Sequence, residues 1–259
     1  MEKSNSKYKP YFIKIVVLAL ILISPVAIYA NNLNIVDTKV TDKTVIFDDV
    51  IEVVQHLNEQ IQDLFRIEIE KLNEEDLLKG VGFYTSQKVI ESLSILKTKN
   101  MSIEYTQKLY DVPFEHFIEI IPLHNWGLYL HQLIGRGISH VVRDNHGNVT
   151  SQIERMILKN VPFNLDMTKA EIIKYEEGKI TVYWRVFASE NKSTLSDVGS
   201  VTFIKKDEKT SVIFRSAHQL GSNPVIKCPI PNLPILQKKI MQTFLKHLES
   251  YEKRITNRS

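Results

Sequence analysis

The sequence predicts an α+β domain in which a curved antiparallel sheet is covered by one long C-terminal helix and preceded by a helical extension. Three observations predict it. Three pairs of strand-like segments, each pair joined by a short polar loop, fill residues 139–218. An apolar stripe at helical spacing occupies residues 234–255, and a second one occupies residues 46–71.

In chain order, Phe47, Val50, Ile51, Val54, Leu57, Ile61, Leu64, Phe65 and Ile69 recur at steps of three and four, as on an amphipathic helix. Asn73, with Asp76 three residues on, can cap a second helix. Val89, Ile90, Leu93 and Leu96 extend its apolar pattern, although Gly80 and Gly82 weaken its first half. Residues 31–44 read as a polar spacer, 45–98 as the helical extension, and Lys97–Asn100 as the joint to a second unit at 99–259.

From 101 the pattern changes. Ser102–Tyr110 is a strand candidate, and Asp111-Val112-Pro113 stops it and opens a short helix carrying Phe114, Phe117, Ile118 and Ile121. A kinked helical stretch follows over Leu123–Leu133. Ser139–Arg143 with Thr150–Leu158, Lys169–Tyr175 with Lys179–Ala188, and Ser200–Lys205 with Thr210–His218 form the three hairpins. After a proline-rich crossing comes the final helix, with the stripe Leu236, Ile240, Phe244, Leu248, Tyr251 and Ile255.

Composition and charge bound the function. The chain is 43% hydrophobic and 24% charged with no internal repeat, as in an ordinary globular protein. Lys3, Lys7, Lys9 and Lys14 precede an uncharged run from Ile15 to Val36, interrupted by Ser24-Pro25 and reaching the small residue Ala30. That order is the layout of a cleavable export signal. A membrane-spanning helix needs about 20 apolar residues, a length this run reaches only by including Ser24, Pro25, Asn31 and Asn32. Cleavage after Ala30 is expected, with an uncleaved anchor of the same topology as the alternative. Either outcome places the rest of the chain in an extracytoplasmic or periplasmic compartment, because the lysines hold the start inside. Residues 1–30 take four lysines and one glutamate from totals of 33 basic and 30 acidic residues, leaving 29 of each. No basic field remains to recruit nucleic acid. Cys228 is the single cysteine, so no intramolecular disulfide forms.

Residues 101–256 resemble the START-like helix-grip superfamily, which includes coenzyme-Q-binding and polyketide-cyclase-like proteins. The resemblance rests on Tyr110-Asp-Val-Pro-Phe-Glu-His-Phe117, on Pro122-Leu-His-Asn-Trp126, on the three hairpins and on the terminal stripe. The long crossing at 219–234 departs from it. The resemblance implies an apolar cavity between sheet and C-terminal helix, and a ligand such as a lipid or quinone, with membrane contact as a further partner. No cofactor is expected.

The residues expected to line that cavity are Trp126, Tyr183, Arg185, Phe187, Ile213, Arg215, Phe244 and Leu248. Arg155, Arg185 and Arg215 stand mid-strand among apolar neighbours, accompanied by Glu154, Glu171 and His218. Such residues point either to water on a solvated sheet face or into the cavity, where a guanidinium would grip an acidic head group. Both faces of these strands carry apolar residues, so the sequence leaves that choice open. His116, His124, His131 and His140 lack metal-ligand spacing, and no Gly-x-Ser-x-Gly elbow or phosphate-binding glycine loop occurs. The main expectation is a non-catalytic carrier of an apolar molecule. One alternative is a cyclase- or hydrolase-type enzyme using His218 or Glu154. The other is an interaction module presenting the helices at 46–96, which could also serve as a lid on the cavity.

Overall fold

The computed structural model describes residues 47, 50–87, 101–159, 164–190, 193–220 and 234–257. The export leader, the spacer, the Lys97–Asn100 joint and Cys228 lie outside the described residues.

The first apolar stripe forms α1 (Val50–Leu64) and a short continuation, α2 (Arg66–Glu70). Val50, Val53, Val54, Leu57 and Ile61 all fall on one buried face. α3 (Glu74–Lys79) starts on the expected cap. The Asp76 N–H donates to Asn73 Oδ1 at 2.9 Å, and the Asn73 N–H donates to Asp76 Oδ2 at 3.3 Å.

The second helix then departs from expectation. Gly80, at φ +87°, ends it after six residues, and Val81–Gln87 forms a strand, β1. Phe83, Tyr84 and Thr85 have the aromatic and β-branched character that strands favour. Val89, Ile90, Leu93 and Leu96 lie outside the described residues. The segment assigned to a helical extension therefore supplies an edge strand, and the sheet begins by Val81 rather than after 98.

The remaining elements are β2 (Met101–Tyr110), α4 (Phe114–Ile120), a 3-10 helix (Leu123–Tyr129), β3 (Leu133–Arg143), β4 (Val149–Leu158), β5 (Leu165–Glu176), β6 (Lys179–Ala188), β7 (Thr194–Lys206), β8 (Lys209–Leu220) and α5 (Pro234–Thr256). The strands form one curved antiparallel sheet in the order β1-β2-β8-β7-β6-β5-β4-β3. All three expected hairpins are present, with Gly178 and Asp207 in left-handed turn conformations at two of them. The helical stretch expected to run to Leu133 ends at Tyr129, and Leu133 opens β3.

Helices cover both faces of the central strands. On one face, Leu248, Tyr251 and Ile255 of α5 join Phe117, Phe203 and Phe214 in an aromatic-rich core. The Tyr110 hydroxyl donates to the Leu248 carbonyl at 2.8 Å, and Tyr251 donates to the Trp126 carbonyl at 3.2 Å. On the opposite face, α1 packs against Met101, Ile103, Tyr105, Tyr183, Val198, Ile213 and Ala217. A solvated face, one of the two settings the sequence allows for charges within strands, is not what the structure has there. The correction follows from the strands, which are apolar on both sides and need two covers. One glycine is set by packing. A Cβ on Gly199 would stand 2.5 Å from the Arg215 carbonyl oxygen and 2.6 Å from Trp184, so the indole lies over β7 only because the side chain is missing.

Because α1 closes a core, Leu57→Ala is expected to lower unfolding free energy by about 2–5 kcal/mol, measured by urea titration. A fragment starting at 101 should expose the α1 face and aggregate. If that fragment melts cooperatively as a monomer, α1 and β1 are dispensable to the sheet.

Candidate functional site

α5 meets the sheet along only part of its length. Its C-terminal half packs tightly, but beneath Lys239, Ile240, Thr243, Phe244 and His247 a cavity of about 80 Å³ remains. Its other walls are Trp126 and Leu130 below the helix, Met156 and Leu158 of β4, Leu165, Met167 and Lys169 of β5, Trp184 of β6, Asp197 of β7, and Phe214 and His218 of β8. Both tryptophans of the chain therefore line it, stacked with centroids 5.3 Å apart.

Strand alternation places several charged side chains on this same face. Lys169, 2% exposed, lies 3.0 Å from a Glu154 oxygen and 2.9 Å from Glu171, both of which are fully buried. Its ammonium also sits 4.1 Å from the centroid of the Trp126 ring. Arg136 of β3 bonds Glu154 and donates to Asn125 Oδ1 at 2.9 Å. Glu171 accepts from Trp126 Nε1 at 3.0 Å and from Gln152 Nε2 at 2.7 Å. Gly127 lets the 3-10 helix approach this network, since a Cβ there would come within 2.9 Å of Glu154 Oε1. Burial would raise Glu154, but Lys169 and Arg136 outweigh it and hold the carboxyl below its ordinary value. For Glu171, burial and the neighbouring Glu154 charge push the carboxyl up to about 7. Burial opposes the Lys169 charge, yet the two glutamates hold its pKa above the ordinary value, so this lysine is a buried cation and not a nucleophile.

A second polar group stands across the sheet. Asp197 accepts from Trp184 Nε1 at 2.9 Å, and its other oxygen lies 3.0 Å from His218 Nδ1. Burial would raise the Asp197 carboxyl, but the bonds from His218 and Trp184 outweigh it and keep it low. Burial opposes protonation of His218, and the Asp197 bond with the Asp197 and Glu104 charges overcomes that and raises its pKa. Glu104, beside it on β2, accepts from Ser102 and from Ser216 at 3.1 Å, and burial pushes it up to about 7. His247 on α5 is the opposite case. Burial lowers it to about 3, and its Nδ1 accepts the His131 backbone N–H at 2.9 Å, so the ring is neutral with its proton on Nε2.

Of the residues the sequence singled out, Trp126 and Phe244 line the cavity, and Leu248 lies in the adjoining core. The other five do not join them. Tyr183, Arg185, Ile213 and Arg215 stand on the α1 face, and Phe187 is 38% exposed where the β5–β6 register shifts. The reason is the period of two: Trp184 and Phe214 point to the cavity, so their neighbours point away. Tyr183 and Arg215 instead line an open groove of about 580 Å³ beside α1, where Arg215 stacks over Tyr105 and bonds Gln62 Oε1 at 3.3 Å. Arg155 pairs with Asp166 and Glu190. Sequence reasoning missed Lys169, Asp197, Glu104 and His247. The readable signal was Lys169 two residues before Glu171 in the inward register of Met167 and Ile173. Among the described residues, no cluster of three or more His, Cys, Asp or Glu side chains could hold a metal.

The architecture is an antiparallel sheet gripped by a C-terminal helix, the arrangement that the resemblance in the sequence leads one to expect, here with N-terminal helices added. Solved structures with a related arrangement include a START superfamily protein from Mycobacterium smegmatis at 11% identity, covering 61% of this chain and 99% of that one, TM-score 0.46. Others are a Streptomyces aromatase/cyclase (9%, 61% and 95%, TM-score 0.48) and human StAR-related lipid transfer protein 5 (8%, 78% and 98%, TM-score 0.48). No protein-family model and no curated protein matches the sequence.

Two predictions follow the electrostatics. Lys169→Met leaves Glu154 and Glu171 buried without their shared cation, and should destabilise the fold by about 3–5 kcal/mol. The loss should be larger at pH 8 than at pH 5, because the carboxyls of the variant fold charged only at a cost; equal losses in urea would contradict this. For His247, the folded pKa of about 3 lies below the ordinary 6.5. The unfolded chain thus takes up that proton first, and stability is lost as pH falls from 6.5 toward 3. His247→Gln should lose less stability than the wild type over that window, read from unfolding midpoints at pH 6.5 and 4.5.

Proposed function

We propose that this chain is an exported, non-catalytic binder or carrier of an apolar small molecule, held in the cavity between the sheet and the N-terminal half of α5. The observation that carries the reading is the cavity: apolar side chains from α5 and the sheet leave a partly open space where the helix does not close on the strands. Its 80 Å³ is several times the ~10–15 Å³ that one water needs, and its wall is mostly Trp, Met, Leu, Ile and Phe. A ligand longer than this space would require the N-terminal half of α5 to lift, while the Tyr110 and Tyr251 bonds hold the other half.

Export and membrane contact rest on the leader. Among the described residues, no helix is long and apolar enough to cross a membrane. Two readings of the front helices are disfavoured by their position. The stripe of α1 is buried in a core, which leaves it unavailable to a partner, and it lies on the face opposite the cavity, where it cannot be a lid. A second reading, an enzyme of cyclase or hydrolase type, is favoured by one observation: His218 stands in the cavity wall bonded to Asp197, an arrangement able to transfer a proton.

Native mass spectrometry of protein purified from the exported compartment is expected to show a discrete adduct of a few hundred daltons, extractable by solvent. Removing it should shift the emission of Trp126 and Trp184, the two tryptophans of the chain. A chain that carries no adduct, and whose emission does not move on titration with a lipid extract, would end the carrier reading. An extracted adduct that is chemically converted on re-addition would favour the enzyme.

A further inference from the structure

His218 carries an unused hydrogen-bonding atom. Its Nδ1 is committed to Asp197, and Asp197 is itself fixed by Trp184, so turning the ring would break the bond to an anchored carboxylate. Its Nε2 is buried and, among the described residues, has no hydrogen-bond partner; the residue is only 5% exposed and forms part of the cavity wall. A buried hydrogen-bonding atom without a partner is costly, so Nε2 is available to a polar group in the cavity. The rest of the cavity offers a path for an apolar tail. From β8 and β7, where His218 and Asp197 sit, the wall runs across Trp184 to Met167 and Leu165 of β5, then to Met156 and Leu158 of β4.

Resting on the carrier reading, we propose that His218 Nε2 is the anchor for an acidic head group, and that the ligand is an apolar carboxylic acid whose tail lies toward β5 and β4. Charge on this face supports an anion. Lys169 lies in the same wall, held above its ordinary pKa by the two glutamates, and the Asp197 and Glu104 charges raise the pKa of His218 and favour its charged form. Lys239 and the neutral His247 complete the polar wall from α5. A carboxylate accepting from an imidazolium N–H makes a charge-assisted bond, stronger than a neutral carbonyl could make.

The test uses the full chain, with decanoate and methyl decanoate as probes and tryptophan emission as the readout. Decanoate should bind about 10- to 100-fold more tightly than its ester. His218→Gln should remove most of that difference by weakening decanoate far more than the ester. Should the variant not fold, 15N-histidine spectra of the wild type decide: decanoate, but not the ester, should move the His218 Nε2 resonance. Equal affinities with a silent His218 would overturn the anchor and leave the carrier reading standing. Failure of both probes to bind would overturn the anchor and the carrier reading together.

Discussion

The central strands of this sheet are apolar on both sides, and the rest of the structure depends on covering both. β2, β6, β7 and β8 each contribute to two cores: Tyr110, Trp184, Val201 and Phe214 to one, and Ile103, Tyr183, Val198 and Ile213 to the other. A sheet of this composition cannot leave either face to water. α5 takes one face and α1 the other, so the N-terminal helix is part of the fold. β1 extends the same logic, since Phe83 stacks between Phe65 and Tyr105 on the α1 side.

The two covers differ in chemistry. Beneath α1 the seam is mainly aliphatic, with a few side-chain bonds such as Ser200 to Asn58 at 2.9 Å. Beneath α5 the face mixes aromatic rings with buried charges. Lys169 is the centre of that mixture, bridging two carboxylates while lying against two indoles. Such a network contributes little net stability compared with apolar packing, but removing one member leaves others charged and dry. It holds the 3-10 helix, through Trp126, Asn125 and the His124 carbonyl, onto β3, β4 and β5. The cavity therefore has one wall fixed by ion pairs and another formed by the helix alone.

That asymmetry bears on ligand entry. The C-terminal half of α5 is tied by Tyr110 and Tyr251, whereas its N-terminal half spans the cavity with Ile240, Thr243 and Phe244.

Much of this was legible from the residues. Periods of two and of three to four located β2, the three hairpins, α1 and α5, and the Asn73–Asp76 spacing located a cap, because these are local properties of the chain. β1 was not legible, since seven residues broken by glycine carry no helical or strand period of their own and become a strand only by pairing with β2. The site divides the same way. Sequence supplied the residue types and the expectation of a cavity, and it drew attention to charges inside strands. It could not choose which parity faces α5, because both parities are apolar and a single-residue shift exchanges the two faces. Only the tertiary structure decided that, turning Arg185 and Arg215 toward α1, and Lys169, Asp197 and His218 toward the cavity. The physical reason is that burial of a charge depends on partners from four or five separated strands and a helix, which no local pattern brings together.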